Sequence, residues 1–333
     1  SLLGKAVGRK LNSVECCLLI DEAAVTIVAG NIRRSAGMRQ FSSDDKEAAS
    51  AKENLWSQDD QGNWRIDPEK DALRMANHTR VYHTKPTYQT VLDAVTKQFH
   101  SGEGAIQFAP EAIARSNADI FKDEELKKEF IEIYSEQGKE EARNWVNVNY
   151  GPFSEEELNH RMSRYGLNPC GEILGNDFHC NLAEVHLNQI DPENIEEQKK
   201  AFKAAALSVA CLLNHEFEVE RYRKSREYDP IVGVSFTGLF DFFVHAFGTP
   251  WLKWWESGRP NNEEGRVFKE QEAKFLNTWR KTVKETVWEY CDKHQLRRPN
   301  RCTTVQPAGT KSLLTGAAPG WHPPKAQRFI RRI

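Results

Sequence analysis

The chain has 333 residues, a formal net charge of −2 and 28% charged residues, an ordinary soluble surface with no electrostatic footprint for nucleic acid. No run approaches the roughly 18 apolar residues that a membrane-crossing helix needs, and the N-terminus lacks the charged-then-apolar order of a signal peptide. Seven scattered cysteines are too few for a secreted disulfide scaffold, so a reducing cytoplasm is the expected setting.

In chain order, "SVECCLLIDEAAVTIVAGNIRRSAG" reads as a helix: Ser13 is placed to cap it, apolar residues recur at helical spacing through Val28, and Gly30 stops it. Cys16 and Cys17 are adjacent and point to different faces, which suits core packing better than chemistry. Residues 42–70 are polar and turn-rich, a surface excursion. A strand is expected at Arg80 to His83, a helix from Thr87 to His100 and a buried strand at "GAIQF". This alternation argues for a parallel sheet with crossovers. From Phe121 to Arg164 the sequence is rich in Glu, Lys and Arg, which reads as a peripheral insert of exposed helices, residues 121–164, whose charges solvation explains. A strand near Phe178 to Leu187, a long helix from Glu196 to Lys224, the strand "IVGVSF", a helix from Gly238 and a charged helix from Glu263 to His294 follow. The tail reads as a strand, a loop of small residues, then a helix. With no repeat and no low-complexity linker, residues 1–333 are expected to form a single domain.

The stretch "NPCGEILGNDFHCNLAEV", Asn168 to Val185, holds the chemistry. A zinc site wants tightly spaced Cys and His pairs with a matching second half, which Cys170 and Cys180 do not supply, and His179 would project to the strand face opposite Cys180. No metal ligand set is therefore expected. A small core cysteine in the bend made by Pro169 and Gly171 is the bland reading of Cys170. Against it, Asn168, Cys170 and Glu172 alternate, so an extended loop would place an amide, a thiol and an acid on one face. In the tail, Thr303 to Gln306 reads as a strand. Pro307, Ala308, Gly309, Thr310, Lys311 and Ser312 read as a loop of small residues whose backbone could approach an anion, or as a plain turn. The Walker spacing is absent.

"NPCGEI" followed by "CNL", with "VAGNIRRSA" upstream and "GTKSLLTGAAPGWHPPKAQRFIRRI" downstream, resembles the catalytic subunit of ribonucleotide reductases. The style of the motifs is that of the adenosylcobalamin-dependent class II, in its monomeric ribonucleoside-triphosphate reductase branch. The four motifs come in the family's order and extend across nearly the whole chain. The resemblance implies a ten-stranded α/β barrel of the ribonucleotide reductase and glycyl-radical type, incomplete in this chain. It implies that Cys170 sits on a finger loop and becomes the thiyl radical, that Glu172 is the base on the 3′ hydroxyl, and that Asn168 binds substrate and holds the loop. Cys180 is implied to be one of two reducing thiols. The segment Gln306 to Ser312 is implied to cradle the substrate phosphates. Gly30, Asn31, Arg33, Arg34 and Ser35 match the loop that relays a bound effector to the substrate base; as residues alone, Arg33 and Arg34 read as a solvated helix end.

The implied cofactor is adenosylcobalamin (coenzyme B12). The implied partners are a ribonucleotide substrate, a deoxynucleotide effector and a thioredoxin-type or other dithiol reductant, with no nucleic acid and no membrane. The family's redox partner for Cys180 and its C-terminal thiols have no match here, and residue 1 is Ser1 rather than Met. The chain is accordingly expected to be the central and later part of a reductase, with a complementary N-terminal chain as a partner. A class I type large subunit fed by a separate radical-generating protein, or a nucleotide-binding reductase fragment without turnover of its own, are the alternatives.

Overall fold

The computed structural model describes residues 2–27, 36–53, 55–324, 326 and 330. The first long helix spans Ser13–Val25, and Asn12 rather than Ser13 caps it. The Asn12 side chain accepts the Glu15 N–H while the Glu15 carboxylate accepts the Asn12 N–H, a reciprocal capping box. The Ser13 hydroxyl instead donates to Asp45 at 3.1 Å. Cys17 packs with Ala51 and Leu73, whereas Cys16 is exposed, so the packing role falls to one of the two thiols. The expected stop at Gly30 lies outside the described residues.

Contacts divide the chain into two compact units, Ser1–Asn176 and Asp177–Ile333. In the first, three parallel strands pair in the order Gly37–Ser42, Ala76–Tyr82, Ala105–Phe108. Parallel pairing requires a crossover, and the helix Tyr88–Ser101 supplies it between the second and third strands. Thr87 caps its first turn, and Gly102, at a φ of 73°, ends it. The polar stretch expected at the surface carries an exposed antiparallel ribbon, Trp56–Gln58 with Trp64–Ile66.

The charged segment forms the helices Glu124–Gln137, Lys139–Tyr150 and Glu155–Arg161. Its sparse apolar residues build a core: Phe121, Phe130, Tyr134, Val146, Leu158 and Met162 cluster, with the Phe121 and Phe130 rings 4.8 Å apart. Solvation does not explain every charge here. Arg161 is buried, and its guanidinium meets Asp119 at 2.8 Å, Glu157 at 2.9 Å and the Asn117 side-chain oxygen at 3.1 Å. A buried cation survives only with such partners.

In the second unit three parallel strands pair in the order Arg301–Thr303, Ile231–Thr237, Asn181–His186. The two-residue period of a strand gives this sheet two different faces. Ala183, Val185, Val232, Val234 and Phe236 join the core beneath the helices Ile195–Ala210, Leu239–Glu256 and Glu263–Lys293. Phe202 stacks on Trp279 at 5.1 Å, and the Trp279 indole N–H donates to Gln198 at 3.0 Å, which satisfies its polar end within the core. The alternate positions are Leu182, Glu184 and His186, paired with Gly233, Ser235 and Thr237, a largely polar face.

Three expectations shift in this unit. The helix expected from Glu196 to Lys224 is broken into Ile195–Ala210 and Glu220–Tyr228, with a 3-10 turn at Cys211–Asn214 between them. Asn214 is the local reason: its amide donates to the Cys211 carbonyl at 3.2 Å and to the Tyr290 hydroxyl at 2.6 Å, competing with helical hydrogen bonding. The tail strand is Arg301–Thr303, earlier than expected; after it the described residues hold a single 3-10 turn, Lys311–Leu314, and part of the tail where a helix was expected lies outside the described residues. Neither three-stranded sheet closes on itself, and among the described residues no helix is long and apolar enough to cross a membrane.

Candidate active site

Asn168, Cys170 and Glu172 lie in one β-hairpin. Its short strands Gly166–Leu167 and Leu174–Gly175 pair antiparallel, and residues 168–173 form the loop. Asn168 closes that loop: its carbonyl accepts the Gly171 N–H at 2.9 Å, and its side-chain oxygen accepts the Ile173 N–H at 3.1 Å. Pro169 and Cys170 are the central residues of the resulting four-residue turn, and Cys170 is exposed there. Gly171 has a φ of 74°, a left-handed conformation that glycine adopts without strain. The loop is therefore a turn and not an extended segment, so strand alternation does not set the directions of the three side chains. What places Cys170 outward is the turn that Asn168 holds shut. Glu172 differs in being half-buried, with one carboxylate oxygen shielded from solvent.

Three side chains that the sequence did not single out fasten this hairpin to the parallel sheet. Gln40 accepts the Leu167 N–H at 2.8 Å and donates to the Tyr165 carbonyl at 3.0 Å. Gln107 donates to that same carbonyl at 2.9 Å, and Asn77 donates to the Pro169 carbonyl at 2.5 Å. All three strands of the sheet thus contribute one amide each. They come from segments up to 127 residues distant, and no local pattern marks them.

Cys180 and the loop Pro307 to Ser312 belong to the second unit. Cys180 immediately precedes the strand Asn181–His186 and is half-buried. Its sulfur lies over Gly233: a Cβ at that glycine would fall 3.5 Å from Sγ, and 2.6 Å from a Leu182 methyl. A lone glycine inside the apolar run "IVGVSF" is a readable sign of such close approach. His179 also lies outside the strand, exposed and edge-on to Phe217 with centroids 5.3 Å apart, so opposite strand faces do not separate it from Cys180. Among the described residues no group of three His, Cys, Asp or Glu could hold a metal.

At the loop, the Gln306 N–H donates to the Ser235 hydroxyl at 2.9 Å, and the Ser312 N–H to the Ala308 carbonyl at 3.1 Å. A Cβ built on Gly309 would meet nothing within 4 Å, so one side of the loop is open. Lys311 folds back: its ammonium donates to the Gln306 side-chain oxygen and lies 3.4 Å from Glu184. Gly30, Asn31, Arg33, Arg34 and Ser35 lie outside the described residues. Of the other cysteines, burial pushes Cys291 up to about 11 and Cys302 up to about 12, which leaves both as poor thiolates, while Cys16 and Cys211 are exposed.

No protein-family profile matches the chain. Its sequence is similar to the adenosylcobalamin-dependent ribonucleoside-triphosphate reductase of Lacticaseibacillus paracasei, 26% identical over 342 residues, covering 100% of this chain and 39% of that protein. The enzyme of the same name from Levilactobacillus brevis is 26% identical over 347 residues, again covering 100% of this chain and 39% of that protein. A probable member from Dictyostelium discoideum is 22% identical over 336 residues, covering 100% of this chain and 35% of that protein. The chain thus spans well under half the length of the curated relatives it matches. Its structure superposes on a crystal structure of a B12-dependent, class II ribonucleotide reductase with a TM-score of 0.59 and 19% identity, covering 96% of this chain and 38% of that one. The relatives named by sequence are those expected from the motifs. The shared architecture is that of the reductase fold, and two open three-stranded sheets are consistent with an incomplete barrel.

Proposed function

We propose that this chain is a catalytic part of an adenosylcobalamin-dependent ribonucleotide reductase, converting ribonucleoside triphosphates to deoxyribonucleotides in the cytoplasm. The observation that carries the reading is the hairpin Gly166–Gly175, which presents a thiol at an exposed turn with an amide and an acid in the same six-residue loop. Similarity along the whole chain to enzymes of that name supports it. The cofactor, when bound, supplies a radical, and the exposed sulfur of Cys170 is the atom of this chain suited to exchange it.

The Cys170 thiyl takes the 3′ hydrogen atom of the ribose, and Glu172 takes the proton of the 3′ hydroxyl. A side-chain carboxylate within reach of that hydroxyl is a group that can serve as such a base. Cys180 gives a proton to the departing 2′ hydroxyl, which leaves as water. With a second thiol, whose hydrogen goes to C2′, it supplies two electrons and closes to a disulfide; Glu172 returns its proton to the 3′ oxygen, and Cys170 returns the hydrogen atom to C3′ and is left as the thiyl again. Cys291 and Cys302 are poor candidates for the second thiol because burial suppresses their thiolates. A complementary chain is the proposed source, with a dithiol of the thioredoxin type restoring both. Asn168 binds the substrate while holding its loop, Pro307 to Ser312 take the phosphates, and Gly30 to Ser35 answer to a deoxynucleotide effector. On this reading residues 1–333 are one catalytic domain, and residues 121–164 are a helical insert.

The test is deoxynucleotide formation from a ribonucleoside triphosphate with adenosylcobalamin and excess dithiol, with and without a candidate complementary chain. Product is expected from the wild-type chain in at least one of these mixtures and none from Cys170→Ser, whose O–H bond is too strong for reversible hydrogen exchange. Product from Cys170→Ser at the wild-type rate overturns the assignment.

A further inference from the structure

The polar face of the second sheet holds a carboxylate that the proposed chemistry leaves without a task. Glu184 stands opposite Ser235 in the strand register, and its side chain is only 3% exposed. Among the described residues neither of its oxygens has a hydrogen bond, and the Lys311 ammonium, 3.4 Å away, is an ionic partner. Burying an acid with so little compensation is unfavourable, so stability alone gives no reason for it. The geometry around Lys311 gives one.

Lys311 comes from the 3-10 turn that ends the Pro307 to Ser312 loop, and its side chain is 49% exposed at the solvent side. A lysine so placed ordinarily extends into water. Here the ammonium turns inward to the Gln306 side-chain oxygen and to Glu184. Gln306 is itself buried, anchored through its N–H to the Ser235 hydroxyl, and its side-chain nitrogen has no partner among the described residues. One cation therefore ties the strand Asn181–His186 to both ends of the loop. An ammonium carries three donors, and the hydrogen bond to Gln306 uses one of them, so donor capacity remains for a further acceptor. The unpartnered Gln306 nitrogen adds another donor at the same place.

We propose that Glu184 is a positioning residue: its buried carboxylate holds the Lys311 ammonium back against Gln306, so that the cation stays at the Pro307 to Ser312 loop as a donor to a phosphate oxygen. This rests on the reading of that loop as the phosphate site. It makes a prediction whose sign is opposite to that of simple electrostatics. A carboxylate near a phosphate repels it, and removing the charge of a bystander tightens anion binding. Removing a carboxylate that positions the cation weakens it.

The experiment titrates inorganic tripolyphosphate into the 333-residue chain by calorimetry at fixed ionic strength. The variants are Glu184→Gln, Glu184→Asp, Lys311→Met and the double variant Glu184→Gln with Lys311→Met, each checked for folding by circular dichroism. Glu184→Gln and Lys311→Met are each expected to weaken binding on the order of tenfold, the effect of one charge-assisted hydrogen bond, and the double variant to bind no worse than Lys311→Met alone. Glu184→Asp keeps the charge but withdraws it by one methylene, and the same direction of loss is expected; it carries the test if the glutamine variant does not fold. Equal or tighter binding by a folded Glu184 variant overturns the positioning role and leaves the phosphate loop standing. Absence of binding by the wild-type chain removes the loop reading and this inference together.

Discussion

Gln40 accepts the Leu167 N–H through its side-chain oxygen at 2.8 Å, joining the first strand of the parallel sheet to the foot of the hairpin that carries Cys170. The same amide reaches the Tyr165 carbonyl and Gln107, so one side chain bridges the sheet and the hairpin on both its polar atoms. In Gln40→Ala the Leu167 N–H loses its partner, at a cost of about 1–3 kcal/mol. Chemical denaturation is expected to report that loss, and amide exchange at Leu167, Gly171 and Ile173 to accelerate more than exchange in the second unit. Gln40→Glu keeps the acceptor and loses the donor, and is expected to fall between. Unchanged exchange at Leu167 in the alanine variant refutes the anchor.

His78 sets an acid limit on the first unit. Burial, reinforced by the positive charge of Lys52 and more weakly of Arg39 and Arg80, lowers its pKa from 6.5 to about 4. The unfolded chain takes up this proton near pH 6.5 and the folded chain only near pH 4, so between them the unfolded state binds more protons and stability falls as pH falls. The contribution is complete above pH 6.5 and lost by pH 4, a difference of roughly 3 kcal/mol. Urea midpoints measured at intervals across that window are expected to slope downward toward acid in the wild type and to slope less in His78→Gln. Parallel slopes for the two proteins count against the assignment.

The parts of this fold that were legible are those whose cause is local. The run "IVGVSF" is β-branched and apolar, and it is the central strand Ile231–Thr237; the helix Glu263–Lys293 keeps its period for 31 residues behind an Asn262 cap. Cys170, Asn168 and Glu172 were legible because they share one short loop. Contacts between distant segments were not. Arg161 looks like any surface arginine until Asn117 and Asp119, more than 40 residues earlier, close over it. Gln40, Asn77 and Gln107 are likewise ordinary strand residues until the hairpin lies on them. The break after Ala210 was missed because the side chain that competes with the helix, Asn214, draws on Tyr290 from another helix. The directions of the hairpin side chains were misjudged because the left-handed Gly171 turns a chain that alternation treats as straight.

Gly233 leaves the space beside the Cys180 sulfur. A Cβ there would sit 2.6 Å from a Leu182 methyl, which must then shift, and 3.0 Å from a Thr304 methyl, a tight contact. Gly233→Val is therefore expected to destabilise the second unit by about 1–3 kcal/mol through overpacking and to displace the Cys180 thiol. The rate at which iodoacetamide labels Cys180, read by peptide mass spectrometry under native conditions, is expected to change while labelling of Cys170 in the first unit does not. A variant as stable as the wild type, with the same Cys180 labelling, shows that the strand relaxes without moving the thiol.

Gly309 differs from Gly233 in a way that isolates ligand binding from folding. Its φ is not in the left-handed region, and a Cβ there meets nothing within 4 Å. The Cβ of Gly309→Val consequently meets no close neighbour among the described residues, and the thermal midpoint is expected to stay close to that of the wild type. The open side that accepts the new methyl groups is the side from which a phosphate would approach the loop backbone, so the same substitution blocks the ligand. Loss of one or more backbone contacts to an anion should weaken ribonucleoside triphosphate binding at least tenfold, about 1.4 kcal/mol. Calorimetry on the folded variant reads this directly, and Gly309→Ala, with a single methyl, is expected to lose less. A valine variant that keeps both its thermal midpoint and its full affinity removes Pro307 to Ser312 from the phosphate site.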